Sequence, residues 1–475
     1  MLRRSVLPLL AAAALAPAAL AAPAPPRAPI AIVGADVLTL TSAGRLSDQT
    51  VLVDGERIAA VGPRASTAVP PGYRTIQAKG LTLMPGLVDM HVHLAPAPAA
   101  EGDAAQRALA VMLAHGVTTA RTMAGSPLHP QVRSRIEAGE VAGPRLYAAS
   151  PPLHEKNTAD AEAARTAVRA AKAAGFDLIK SHHLDSVSTW TAVQEEAAAQ
   201  GIPVAGHVNN AVGLDRALAA KQQVEHLDGT LRELIPAGSA ARGIDFAQIP
   251  PPPVLDVVSE VQPAAVQALA AKVARSGGYQ VPTLALFEKI VDVTTPTAKL
   301  AARPEVRFAP AAAVKAWTAQ REQMLGSGFT ADLGRQFVDT RRRIVRAYRD
   351  AGVPMMAGSD TAQSFHMWGP GLIEEVEAFK AAGLTNEEAL RTATVVPRDY
   401  FRSLPNGGSA LGWKAEFGTV EAGARADLIL VKGDPSRDLA ALRQLRTVIA
   451  GGRLYERAAL DAMLAAAAAA AKAAG

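Results

Sequence analysis

Gly86-Leu87-Val88-Asp89-Met90-His91-Val92-His93-Leu94 is the stretch on which the reading of this chain turns. A run this apolar reads as a β-strand, and in a strand residues i and i+2 share a face. His91 and His93 therefore point the same way, so both imidazoles can reach one cation. Borderline-soft divalent metals such as zinc accept neutral imidazole readily. His-x-His alone is equally compatible with an alternating strand that uses two histidines for packing or hydrogen bonding. The weight falls on what the rest of the chain adds.

On either side of this strand the pattern changes. Short β-type runs separated by turn signals precede it: Ile30–Val33, Thr50–Val53 followed by Asp54-Gly55, Ile58–Val61 and Leu81–Met84. Asp-Gly after an apolar run is a good hairpin signal. The same texture returns in 426–434 and 447–452, which predicts one small β-sandwich domain built from both chain ends. Between them, strand-like and helix-like segments alternate, as in parallel βα units. Eight strands are predicted: 83–94, 117–123, 145–149, 178–182, 204–208, 223–227, 281–286 and 355–360. Predicted helices include 104–114, 160–174, 186–200 and 336–350. Eight such units is the count of a (β/α)8 TIM-type barrel, an α/β fold whose active site lies at the C-terminal strand ends. An open doubly wound sheet fits less well, because its Gly-rich phosphate turn is missing. The expected division is residues 22–84 and 406–457 for the sandwich, 85–405 for the barrel and 458–475 for an Ala-rich helix. Two long connections, after strands six and seven, are expected to extend over the site.

With 475 residues the chain can bury a large core and a smaller satellite. Its charge of +5 is scattered, so the basic balance does not point to nucleic acid. The run Arg341-Arg342-Arg343, with Arg346 and Arg349, reads as a solvated helix face. There is no cysteine, which excludes disulfides, a thiol nucleophile and thiolate ligands. Residues 1–21 have the organisation of a secretory signal: Arg3 and Arg4, an apolar run from Val6 to Leu20, and the small-x-small site Ala19-Leu20-Ala21. The mature chain is expected to be exported, into a bacterial periplasm, with no membrane span and a small-molecule substrate.

Polar residues fall at the predicted strand ends. Strand one ends in His91 and His93, strand four carries Lys180, strand five His207, strand six His226 and strand eight Asp360. A barrel delivers side chains at these places to its catalytic mouth. Packing alone hardly yields the joint pattern, although Lys180 singly reads as a snorkelling lysine and Asp360 singly as a helix N-cap.

These segments, together with Gly116–Thr119, Gly143–Arg145, Val281–Leu284, Gly383–Leu390 and Gly418 to Leu428, resemble the amidohydrolase superfamily. The likeness is to its binuclear branch, related to imidazolonepropionase-like amidohydrolases and prolidase-type dipeptidases, and it covers essentially the mature chain. The resemblance implies two divalent ions about 3.5–4 Å apart clamping one water between them. His91, His93 and Asp360 would hold the more buried ion and His207 and His226 the second. Lys180 would bridge them as a carbamate, which requires a neutral amine. The metals, Zn2+ first with Mn2+, Co2+ or Fe2+ compatible, would make a bridging hydroxide that attacks a carbonyl. Asp360 would take its proton and pass it to the leaving group. The implied activity is cleavage of an amide bond in a dipeptide or N-acyl amino acid. A cyclic amide or lactone is the alternative with the same ligands. A single-metal deaminase is disfavoured by Lys180, and a non-catalytic relative by the full ligand set. Homo-oligomerisation is implied by the resemblance only. Substrate contacts are expected from His182, which alternation places on the Lys180 face, and from His154, His366 and Arg121, the last toward a carboxylate.

Overall fold

In the computed structural model, residues 23–95 and 104–474 are described; the signal reading of residues 1–21 lies outside them. The N-terminal part forms β1 (Ile30–Leu38), β2 (Arg45–Asp54), β3 (Arg57–Pro63), β4 (Arg74–Gln77) and β5 (Leu81–Pro85). The middle of the chain contributes β6 (Leu87–Val92), β7 (Val117–Thr122), β8 (Arg145–Tyr147), β9 (Ile179–Ser181), β10 (Val204–Gly206), β11 (Gln223–Glu225) and β12 (Gln280–Val281). β13 (Leu428–Lys432), β14 (Leu445–Ala450) and β15 (Arg453–Glu456) close the series.

Both chain ends share one sheet, as the β-type texture predicts. Its order is β15-β14-β13-β5-β1-β2-β3, with β4 paired to β1. β13 lies antiparallel between β5 and β14. The hairpin of β2 and β3 turns at Gly55, whose φ of +56° is open to glycine at little cost. Val37, Val51, Leu83, Leu428 and Ile449 form the apolar core on this sheet. The ladders do not divide it into two facing sheets, and its C-terminal strands begin at Leu428, later than residue 406.

The middle of the chain is parallel throughout, an α/β arrangement consistent with a TIM-type barrel. β6, β7 and β8 form one sheet and β9 to β12 another. The expected eighth strand is reduced to isolated parallel bridges, Met355 with Gln280 and Thr361 with Val92. On the other flank, bridges Ala149–Leu178 and Leu153–Ser181 join the two sheets. The ladders thus stop short of one continuous eight-stranded sheet.

Two predicted strands are corrected. The run 83–94 is divided at Gly86 between β5 and β6, because the Gly86 N–H turns to the Asp427 carbonyl. A Cβ there would stand 2.2 Å from Thr118 Oγ1. The run 281–286 stops after Val281: Pro282 has no N–H for a ladder, and Thr283 sits at φ +50°. The apolar residues from Leu284 to Val291 are a helix instead. Its first amides, Leu284 N and Ala285 N, donate to the buried Glu375 carboxylate at 3.0 and 2.7 Å. Among the described residues, no helix is long and apolar enough to cross a membrane.

Candidate metal centre

The parallel strands end around a cavity of about 560 Å³ lined by His91, His93, Lys180, His207, His226 and Asp360, all six expected ligands. Asp360 is where they meet. Its Oδ1 lies 2.7 Å from His93 Nε2 and 3.3 Å from His91 Nε2, and its Oδ2 lies 3.7 Å from His226 Nδ1. His91, His226 and Asp360 are buried and place one ligand atom each within 4.8 Å of one another. Strand-eight backbone reaches this close because residue 358 is glycine; a Cβ there would stand 2.8 Å from that of His91. His226, Thr283 and Asp360 all have positive φ, at +62°, +50° and +53°. Such strain persists only where surrounding structure holds it, and it clusters at functional sites.

Behind the histidines stands a row of acceptors that the sequence reading missed. His91 Nδ1 is 2.7 Å from Glu225 Oε2, and His207 Nδ1 is 2.8 Å from Asp228 Oδ2. His226 Nδ1 is 2.8 Å from Thr283 Oγ1, whose hydroxyl in turn donates to the Pro282 carbonyl at 2.7 Å. An acceptor on Nδ1 fixes the proton there and leaves Nε2 with its lone pair toward the cavity. Burial holds His91, His207 and His226 well below the ordinary imidazole pKa, so they are neutral donors. Burial pushes the Asp360 carboxyl up, but His91, His93 and Lys180 outweigh it and hold the group at about 2. Burial also lowers the Lys180 ammonium. Neutral imidazoles around an ionised carboxylate are the donor set of a divalent cation, and the residues fit one.

His226 stands between two groups. Its ring centroid is 4.9 Å from that of His91 and 4.8 Å from that of His207. The His182 ring continues the row, 4.7 Å from His207, and both His182 and His183 line the cavity. The other expected substrate contacts lie elsewhere. Arg121 is buried behind the site, with Nη2 on Glu225 Oε1 at 2.6 Å and Nε on the Met90 carbonyl at 2.7 Å. It neutralises the carboxylate that orients His91 and does not line the cavity. His366 is turned into a buried ionic cluster, its Nδ1 3.0 Å from both Lys289 Nζ and Glu374 Oε2. His154 is held in the loop after β8 by backbone bonds to Asn157 and Thr158 and is not a lining residue either.

The basic run on the helix Ala331–Asp350 is corrected in part: Arg346 is exposed, but Arg341, Arg342 and Arg343 turn inward. Arg341 is buried, donating to the His226 carbonyl at 2.8 Å and the Pro282 carbonyl at 2.5 Å while lying over the Phe287 ring. Arg343 takes the carbonyls of Val258 and Val261, and Arg342 pairs with Glu288. No spacing in the sequence distinguishes an arginine that caps buried carbonyls from one in water. Glu225 could have been suspected, because an acidic residue on an apolar strand next to His226 needs a partner.

The Amidohydrolase family model matches residues 82–455. Among solved structures, one from Bifidobacterium longum assigned as a prolidase is 25% identical, with a TM-score of 0.65, covering 93% of this chain and 100% of that one. Bottromycin amidohydrolase has a TM-score of 0.70 at 22% identity, covering 98% and 95%, a likeness of fold. Adenine deaminase 2 of Bradyrhizobium sp. (strain ORS 278) is 41% identical over 66 residues, 14% of this chain. The chain spans only 11% and 22% of the curated relatives it matches.

Proposed function

We propose, for a chain that belongs to the amidohydrolase family, hydrolysis of an amide bond in a small peptide-like or N-acylated substrate at the histidine cluster. The convergence of His91, His226 and Asp360 from three different strand ends carries this reading. The likeness to the Bifidobacterium longum structure supports it. His91, His93 and Asp360 would hold one divalent ion, with His207 and His226 for a second, zinc being the first choice. Bound there, such ions supply Lewis acidity and lower the pKa of a water.

The residues themselves do the rest. Glu225, Asp228 and Thr283 keep three imidazoles in the tautomer that donates from Nε2. Asp360, ionised and at the focus of the cluster, accepts the proton of the attacking water and returns it to the leaving nitrogen. Lys180, with its ammonium destabilised by burial, gives up its proton more readily than a solvated lysine. Its nitrogen can add to carbon dioxide, lose a proton and become a carbamate, an anion on a long arm. The frame is proposed as a (β/α)8 barrel over residues 85–405 beside a β-sandwich of residues 22–84 and 406–457, supported by the bridges at both flanks of the parallel sheets. The enzyme is proposed to be exported, on the pattern of residues 1–21.

The test is a panel of dipeptides, N-acyl amino acids, their amides and lactones, assayed after metal reconstitution with bound metal measured by elemental analysis. Amide cleavage that depends on metal is expected. Turnover confined to lactones, or protein that retains no transition metal, would overturn the reading.

A further inference from the structure

Resting on the amide-hydrolase reading, we infer that the substrates carry an uncharged or amine-bearing group beyond the scissile bond, and that free carboxylates are turned away. Selection of a carboxylate by a small cavity calls for a guanidinium or ammonium, usually a forked arginine. Among the described residues, no arginine lines this cavity, and the one lysine is Lys180 at the closed end. The two arginines near the site are already spent. Arg121 is taken by Glu225 and the Met90 carbonyl, and Arg341 by the carbonyls of His226 and Pro282. The segment 96–103 after β6, which lies outside the described residues, reads PAPAAEGD and has no basic side chain to add.

The mouth has the opposite sign. Asp185 and Asp245 stand there, exposed, each accepting a hydrogen bond from a neighbouring amide, Asn209 and Asn210 respectively. The nearby cation Arg232 comes only to 3.9 Å of Asp245. The apolar part of the cavity lining includes Leu286, Phe287 and Ile290, with Met123, Pro152 and Val208. A free carboxylate entering this cavity passes two like charges at the mouth and finds no arginine in return. A carboxamide, an alkyl amide or an amine loses nothing comparable and can donate N–H groups to the aspartates. Rejection by unpaired like charge is a route to specificity that needs no additional contact with the favoured substrate.

Matched pairs that differ only in carboxylate against carboxamide decide the matter: N-acetyl-methionine with N-acetyl-methioninamide, and glycyl-leucine with glycyl-leucinamide, on the metal-loaded protein. The carboxamide is expected to have the higher kcat/KM by about tenfold or more. Equal rates, or preference for the free acid, would overturn the inference while leaving amide hydrolysis standing. If no pair is cleaved, the amide-hydrolase reading fails, and calorimetric binding of the same pairs then judges the inference. Tighter binding of the carboxamide upholds it; equal binding, tighter binding of the acid or no binding overturns it. A double variant, Asp185→Asn with Asp245→Asn, is expected to shrink the discrimination by about threefold or more, chiefly by raising kcat/KM for the free acid. Unchanged discrimination in that variant would remove the mouth carboxylates as its cause.

Discussion

At the closed end of the cavity, each imidazole that faces in is held from behind: His91 by Glu225, His207 by Asp228 and His226 by Thr283. At the open end, Asp185 and Asp245 project from connections between strands and helices, each held by a neutral amide side chain, with Arg232 no nearer than 3.9 Å to Asp245. The closed end is buried, and its groups are displaced far from their ordinary pKa values. The open end lies in water, where charges are screened and side chains move freely. On the proposed reading, the reactive groups are fixed by buried bonds, whereas selection falls to loops that can change without disturbing them.

Four substitutions can break or sharpen that contrast, and a fifth, followed against pH, probes a buried group outside it. Asp360→Asn at the closed end is expected to lower kcat by roughly 10²–10⁴-fold, since the proton carrier is lost. Elemental analysis should still find metal, and undiminished kcat would end the assigned role. Lys180→Ala should release metal unless a short-chain carboxylate is added back; a variant that keeps two ions per chain unaided would show that no carbamate is needed. Glu225→Gln leaves Arg121 buried without its counter-charge. It should cost about 3–5 kcal/mol in denaturant unfolding and weaken metal binding by about 10–100-fold. Asp185→Asn at the open end should stay within about ±0.5 kcal/mol of the parent in the same unfolding experiment. A large loss there would erase the distinction between the two ends.

The smallest expected effect comes from His115, which belongs to neither end. Burial, opposed by the Val111 carbonyl, lowers its imidazole to about 4. Its folded pKa thus lies below the unfolded value of about 6.5. The unfolded chain takes up the proton first, so this stabilisation is whole above pH 6.5 and lost as pH falls through 4. In a Tm–pH series His115→Gln should decline less steeply than the parent across that window; identical slopes would discount the group.

The residues that line the cavity were legible because strands have a period of two and parallel strands present their ends on one side. All six expected ligands do line one cavity. The partners behind them were not legible. Nothing local in Arg121 says that it turns back to Glu225, more than a hundred positions later, and nothing in Arg341-Arg342-Arg343 says which guanidinium is buried. Those are facts of tertiary packing. The strand predicted across Leu284 failed for a related reason: a short apolar run does not reveal its own period, and Pro282, Thr283 and Glu375 settled it as a helix. The terminal sheet was legible as coming from both chain ends, since the β-type texture recurs, whereas its branching around β1 was not.

The position of β13 between β5 and β14 has a consequence for how the molecule is made. β5 is among the first strands to be synthesised, yet its neighbour arrives only after the whole catalytic segment has been translated. Until then the side of β5 that faces away from β1 is an unpaired, apolar edge open to other chains. Deleting the chain from Leu428 onward should therefore produce aggregation, even though it removes none of the histidines: the last strands act as the clasp of the assembly.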